Sequence, residues 1–407
     1  MDKSNQARTM IILLFALNFL SYIDRSAMAY AIPVITSSLR INSYLIGLIL
    51  GSFGIGYFIT TFLGGVFVDK YGSKRVLLLS TLIWTCSMGL TGLATGFYSL
   101  YLARFGLGAG EGPSFPAVAR TVSDWIPLRS RCQALANSLF AVPLSLAIGA
   151  PVVTFLITYL GWRLMFLVLA VLVLLWWPFC YLFFLDKSKD NKVAKATLLT
   201  STKEDKYYFF KNKTLLSNAW GFFVYGYSMF FFLTWLPDFL ASTYHLSVKQ
   251  IGLFSILPWI LATLFLWLGG YLSDLLYNKT KSLRYARSYL ILAGQLFTLL
   301  SLLVILTFKD LTVILIAISF AVAFNLSNNT PFYAINMDVS AKRAGTSLGF
   351  MNSMFAIAGF LAPTITGAAV QLSGNFYTAF LLMGLLTLSA IISILLFHHP
   401  DKALSKA

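Results

Sequence analysis

The chain has 407 residues, of which 58% are hydrophobic and only 11% charged, and its mean hydropathy is +0.79. A water-soluble domain carries roughly a quarter charged residues, so this composition excludes a soluble fold and points to a membrane protein in contact with a lipid bilayer. The formal net charge of +16 would suit a nucleic-acid partner, but the placement of the basic residues speaks against one.

In chain order, twelve apolar segments are predicted as membrane-crossing helices, each near the ~20 residues that a bilayer requires. They cover 9–32, 43–66, 76–97, 98–120, 133–159, 163–185, 215–240, 248–273, 287–308, 311–333, 344–370 and 377–398. The first follows a short polar start with no small-residue cleavage pattern, and it reads as a retained helix. It carries Asp24 and Arg25, and the fourth segment carries Arg104 and Glu111. The polar stretch 186–214 is the only long one, and it divides the chain into bundles at 1–185 and 215–407. The seventh segment holds Asn218, Tyr225, Tyr227 and Trp235, and the ninth holds Gln295. The tenth holds a polar run containing Asn325, Ser327, Asn328, Asn329 and Thr330, which reads as lining a cavity or unwinding the helix. The second half is read as carrying no charge within its spans. Cys86, Cys132 and Cys180 have no metal-ligand or disulfide spacing. His245, His398 and His399 read as loop or helix-end residues, and no metal or cofactor is expected.

Of the 30 Lys and Arg residues, 24 fall on one side of the predicted topology, including Lys70, Lys74 and Arg75 after the second segment and eight lysines between 187 and 213. The positive-inside rule then puts both termini and the central linker in the cytoplasm. The excess charge is a topology signal facing anionic lipid, and nucleic acid is not an expected partner. The halves also echo each other. Gly65 and Asp69, four residues apart at the end of the second segment, recur as Gly270 and Asp274 at the end of the eighth. The run Asn137-Ser-Leu-Phe-Ala recurs from Asn352 as Asn-Ser-Met-Phe-Ala. Two similar six-helix halves suggest alternating access about a central site.

The loop from Gly65 through Asp69, Lys70, Gly72, Lys74 and Arg75 resembles the signature of the major facilitator superfamily. Narrower motifs resemble its anion:cation symporters, which include bacterial sugar-acid transporters, sialin and the vesicular glutamate transporters. These motifs are Ser21-Tyr22-Ile-Asp24-Arg25, the run from Arg104 to Pro113, Trp125-Ile-Pro127, Gly161-Trp162-Arg163 and Trp235-Leu-Pro237. The resemblance implies an all-α fold of two pseudo-symmetric six-helix bundles with no enzymatic activity. It implies a gating role for the loop of Asp69, Lys70 and Arg75, and for Asp274. It also implies that Arg25 meets a substrate carboxylate, that Asp24 and Glu111 take protons, and that Tyr57 and Asn352 line the site. The short loop between the first two helices favours a bacterial inner-membrane protein, expected as a monomer. The family's sugar-acid members place a glutamine where this chain has Val142 and Pro143, which tilts the expectation toward a less hydroxylated anion.

The residues support the same chemistry independently. A charge at mid-membrane costs about 2.5–3.5 kcal/mol on insertion scales, so four of them need a reason. Neighbouring helix residues point about 100° apart, so Asp24 and Arg25 cannot share a target. Tyr22, Arg25 and Ser26 share a face, assigned to the cavity, and Asp24 is then expected to turn toward Arg104. With all four charges ionised their sum is zero. Protonating either acid leaves +1, which favours an anion, and by linkage an anion raises proton affinity. Coupled transport of a small organic anion, best a carboxylate, with protons as the coupling ion follows. Tyr225 and Asn328 are the second half's candidates for contacting it. Rivals are an organic-phosphate antiporter, drug efflux and a sensor that no longer cycles.

Overall fold

The computed structural model describes residues 3–126, 138, 140–186, 212–339 and 344–401. Most of the linker at 186–214, together with Asn137, lies outside the described residues. The first bundle comprises α1 (Lys3–Leu39), α2 (Ser43–Tyr71), α3 (Ser73–Gly92), α4 (Phe97–Glu111), α5 (Ser114–Trp125) and α6 (Ala141–Phe183). The second comprises α7 (Lys213–Tyr244), α8 (Val248–Phe254), α9 (Ile256–Thr280), α10 (Tyr289–Thr307), α11 (Leu311–Ser327), α12 (Asn329–Val339), α13 (Ala344–Ser373) and α14 (Tyr377–Phe397).

Among the described residues, ten helices are long and apolar enough to cross a bilayer, against twelve predicted segments. The difference has two physical sources. The fifth and sixth segments run together as α6, whose 43 residues would extend ~65 Å at 1.5 Å per residue, twice a bilayer's thickness. Gly161 breaks this helix at φ 76°, ψ 164°, a conformation open to glycine because it has no Cβ. Both ends of the element then return to α1. Asn18 donates to Ser138 Oγ at 2.8 Å just ahead of α6, and Trp176 Nε1 donates to the Leu13 carbonyl at 3.3 Å. The fourth segment is instead split at Gly112 and Pro113 into α4 and α5 of 15 and 12 residues, each too short alone. The tenth breaks at Asn328 between α11 and α12. Pro113 and Asn328 are 215 residues apart, the same offset that separates Asn137 from Asn352, so the two halves interrupt equivalent helices at equivalent points.

Helix α4 is wedged between two neighbours by alternate glycines. A Cβ on Gly110 would sit 2.7 Å from the Trp84 nitrogen of α3, and one on Gly112 would sit 2.8 Å from the Tyr57 carbonyl of α2. Residues four apart lie on nearly the same face of a helix. Gly108 and Gly112 therefore seat α2, while Gly106 and Gly110 seat α3. Backbone contact this close brings α2, α3 and α4 together, and Asp24 and Arg25 of α1 reach α3 and α4 from beside them.

At the end opposite Asp69, α2 closes on α13 by the same device. Cβ atoms on Gly47 and Gly54 would lie 2.7 Å from backbone atoms of Pro363 and of Gly359. At the Asp69 end, each bundle ties its helices with an acid–base–acid cluster. Arg120 of α5 meets Asp69 and Asp124 at 2.9 Å each. Arg287, in a π-helical turn ahead of α10, meets Asp274 of α9 at 2.9 Å and Asp338 of α12 at 3.6 Å. The clusters differ in burial: the Arg287 side chain is 10% exposed and that of Arg120 is 41% exposed. Removing Arg287 leaves the mostly buried Asp338 without its charged partner, so Arg287→Ala is expected to cost about 1–3 kcal/mol, and Arg120→Ala, where the arginine itself is more exposed, at most about 1 kcal/mol. Thermal unfolding of the two variants in detergent measures this, and equal losses would contradict it.

Candidate functional site

Asp24, Arg25, Arg104 and Glu111 are all buried, and they meet near the middle of the first bundle. Arg25 Nε donates to Glu111 Oε2 at 2.6 Å, and Ser21 Oγ donates to the same oxygen at 2.7 Å. Glu111 Oε1 is buried without a partner. The Arg25 guanidinium carbon lies 4.5, 4.9 and 4.7 Å from the ring centres of Tyr22, Phe53 and Tyr57. This aromatic enclosure stabilises a cation through the ring quadrupoles, and among the described residues the terminal amino groups of the fork make no hydrogen bond.

Asp24 departs from expectation. Its Oδ2 accepts a 2.6 Å hydrogen bond from Trp84 Nε1 of α3, and Arg104 makes no ion pair with it. Gly110 lets α3 approach α4 so closely that the indole reaches the acid. Arg104 instead packs 5.2 Å from the Phe53 ring, with its Nε and one terminal nitrogen buried and unpaired. Phe53 therefore carries a guanidinium from each of two arginines. Asp24 and Arg25 do choose separate targets, as their spacing requires.

Below this cluster lies a cavity of about 560 Å³. Its lining runs from Tyr22 and Tyr57 at mid-helix to Gly65 of α2, Phe115 of α5 and Gly349 of α13, all toward the Asp69 end. The second bundle presents two tyrosine–asparagine pairs to it. Asn329 Nδ2 donates to Tyr225 Oη at 2.8 Å, and Tyr333 Oη donates to Asn352 Oδ1 at 2.8 Å. Of the residues singled out in the sequence, Tyr22, Tyr57, Tyr225 and Asn352 line this cavity. Asn328 does not: it is buried against Gly294 of α10, and its neighbour Asn329 lines the cavity. The helix break falls at Asn328, so the residue after it begins α12 on the cavity face. Val142 and Pro143 also line the cavity and are apolar there.

The gating candidates stand apart from the cluster, at the Asp69 end. Asp69 and Asp274 are paired with arginines but are 63% and 73% exposed, and Lys70 and Arg75 are exposed. The reading of a second half without charge in its spans needs correction, since Asp238 lies in α7, six residues before its last residue Tyr244. Sequence reasoning missed Trp84, Phe53 and Tyr333. Nothing local to Trp84 distinguishes it from the chain's other tryptophans, because its role depends on what Gly110 lets it reach.

A bundle of membrane-length helices, with a charge cluster buried at the head of a cavity that extends toward one end and close helix packing at the other, defines a membrane transport protein. The chain belongs to the Major Facilitator Superfamily, whose sequence profile it matches over residues 14–283 and 281–407. It is 33% identical over 403 residues to the hexuronate transporter of Bacillus subtilis, covering 96% of this chain and 94% of that one. It is 32% identical over 395 residues to a probable sulfoacetate transporter of Cupriavidus necator, covering 94% and 91%. These relatives accord with the anion:cation symporter branch. In fold it resembles a bacterial homologue of the lysosomal transporter Spinster solved in an inward-facing, occupied conformation, with a TM-score of 0.80, 15% identity and 97% of each chain covered.

Proposed function

We propose that this protein is a proton-coupled symporter that imports a small organic anion, a carboxylate, across a bacterial inner membrane. In this reading the chain crosses twelve times, with α6 crossing twice and α4 joined to α5 as one span, and both termini are cytoplasmic. The Asp69 end is then the cytoplasmic end, and the cavity belongs to an inward-open state.

One observation carries the proposal: Arg25, beside the cavity wall, has a protonatable acid as its counter-ion and leaves its terminal donors unbonded. Glu111 and a substrate carboxylate compete for the same guanidinium. Protonating Glu111, at the oxygen that has no partner, releases Arg25 to meet an incoming carboxylate, a pairing its planar fork favours. Substrate release in turn lets Arg25 recapture Glu111 and expel its proton. Asp24 provides a second proton site, and Arg104 supplies positive charge to both acids. The tyrosine–asparagine pairs of the second bundle offer hydrogen bonds to the rest of the anion, while Val142 and Pro143 give it an apolar wall. The named substrates of the relatives, a hexuronate and sulfoacetate, are both small anions. A phosphate antiporter is less well supported, because among the described residues no basic side chain of the second bundle lines the cavity.

Glu111→Gln mimics the protonated acid. In proteoliposomes, it is expected to abolish uptake driven by a pH gradient while retaining counterflow exchange of the same anion. Proton-driven accumulation that survived the change would remove Glu111 from the coupling mechanism.

A further inference from the structure

Trp84 is fully buried in α3 and is the one hydrogen-bond donor to Asp24 among the described residues, at 2.6 Å. Its position is built into the backbone, since the Trp84 nitrogen and Cα lie 2.7 and 3.0 Å from where a Cβ on Gly110 would stand. Gly110 immediately precedes Glu111. The same turn of α4 therefore seats the indole that holds one acid and presents the other acid to Arg25.

We infer that Trp84 is a positioning residue for proton coupling: its indole N–H orients Asp24 and sets the pH at which that carboxyl takes up a proton. The inference rests on Asp24 being a proton site, as in the transport reading above. An N–H donor bonds more strongly to an ionised carboxylate than to its neutral acid, so the bond favours the charged form. The indole has no acceptor capacity and does not titrate, so its effect is constant across the transport cycle's pH range. The other groups acting on Asp24 can vary. Glu111 and Arg104 face it from α4, and Arg25 and Tyr22 neighbour it on α1. Of the other helices packed on α1, α2 and α7 bring the Tyr57 and Tyr225 side chains to the cavity, the charges of α5, α7 and α8 lie toward helix ends, and Arg163 of α6 lies at the Gly161 break. Against those partners, a fixed donor keeps Asp24 from protonating merely because it is buried, and its proton uptake stays tied to the state of Arg25 and Glu111.

Trp84→Phe keeps an aromatic ring and removes the donor. Infrared titration of the purified protein follows the carboxyl band that Asp24→Asn abolishes, and this needs no transported substrate. The band's midpoint is expected to move to higher pH by about one unit, a tenfold change in proton affinity. An unchanged midpoint would overturn the inference. The pH profile of glucuronate uptake should shift in the same direction, and in an Asp24→Asn background Trp84→Phe should shift it no further. A wild-type uptake that ignores pH would count against the transport reading, while the infrared midpoint would still decide the role of Trp84. If Trp84→Phe does not fold, the Raman marker of indole hydrogen bonding in the wild type serves instead. One strongly bonded indole should weaken as pH falls through the Asp24 midpoint and be missing in Asp24→Asn; its persistence in that variant would refute the assignment.

Discussion

Arg25→Lys is expected to reduce the efficiency of anion uptake about a hundredfold, although charge is conserved. In the structure the guanidinium has two jobs, binding Glu111 through Nε and keeping its terminal amino groups free beside Tyr22 and Tyr57. Lysine offers one compact ammonium on a flexible stem. If it pairs with Glu111, it has no second planar edge for a carboxylate. Losing a charge-assisted, bidentate contact of this kind is worth about 3 kcal/mol, near the lower end of what breaking a buried charged pair costs, and each 1.4 kcal/mol is a factor of ten. Initial-rate uptake into proteoliposomes measures the effect, with Arg25→Ala as the reference for complete loss. An Arg25→Lys protein within threefold of wild type would show that a point charge suffices and that the fork geometry is irrelevant.

Gly47→Leu combined with Gly54→Leu is expected to stop transport by a different route, preventing closure of the end opposite Asp69. At both positions a first side-chain atom would already fall 2.7 Å from α13 backbone, which cannot swing aside as a side chain can. Overpacking costs about 1–3 kcal/mol at each site. Moving a two-state equilibrium from 1:99 to 99:1 takes about 5.5 kcal/mol, so the pair supplies most of a full inversion. The double variant should bind anion yet fail to exchange it. Spin-label distances between the far ends of α2 and α13 should lengthen, while those at the Asp69 end shorten. Unchanged distances would mean that the glycine contact is not the seal.

The architecture was legible because its signals are long and physical. Apolar stretches of bilayer length, a one-sided distribution of lysine and arginine, and repeated motifs at nearly constant offset all survive local irregularity. The site was legible as a list of residues and less so as a set of contacts. An arginine spans more than a helical turn, so Arg25 pairs with Glu111 of α4, a contact that residue positions along the two helices do not announce. The choice between Asn328 and Asn329 turned on a helix break one residue wide, which rotates everything after it. Giving Arg25 the cavity face turns Asp24 toward Arg104, but sequence offers no sign that Gly106 and Gly110 admit α3, and with it Trp84, to the cluster. The join at Gly161 is legible as the gap between the segments 133–159 and 163–185, although one continuous element, α6, runs across it.

The four charges that lie deep in the bundle, Asp24, Arg25, Arg104 and Glu111, belong to one bundle and cancel when all are ionised. That balance has a consequence for the membrane potential, which acts on a displaced charge with about 2.3 kcal/mol per elementary charge per 100 mV. The empty carrier, with both acids ionised, can reorient without doing work against the field. A carrier loaded with one monovalent anion and one proton is equally silent. A second proton would make the loaded form a cation, and the resting voltage of the cell would then pull it inward, adding electrical energy to the chemical gradient on the loaded half of the cycle alone.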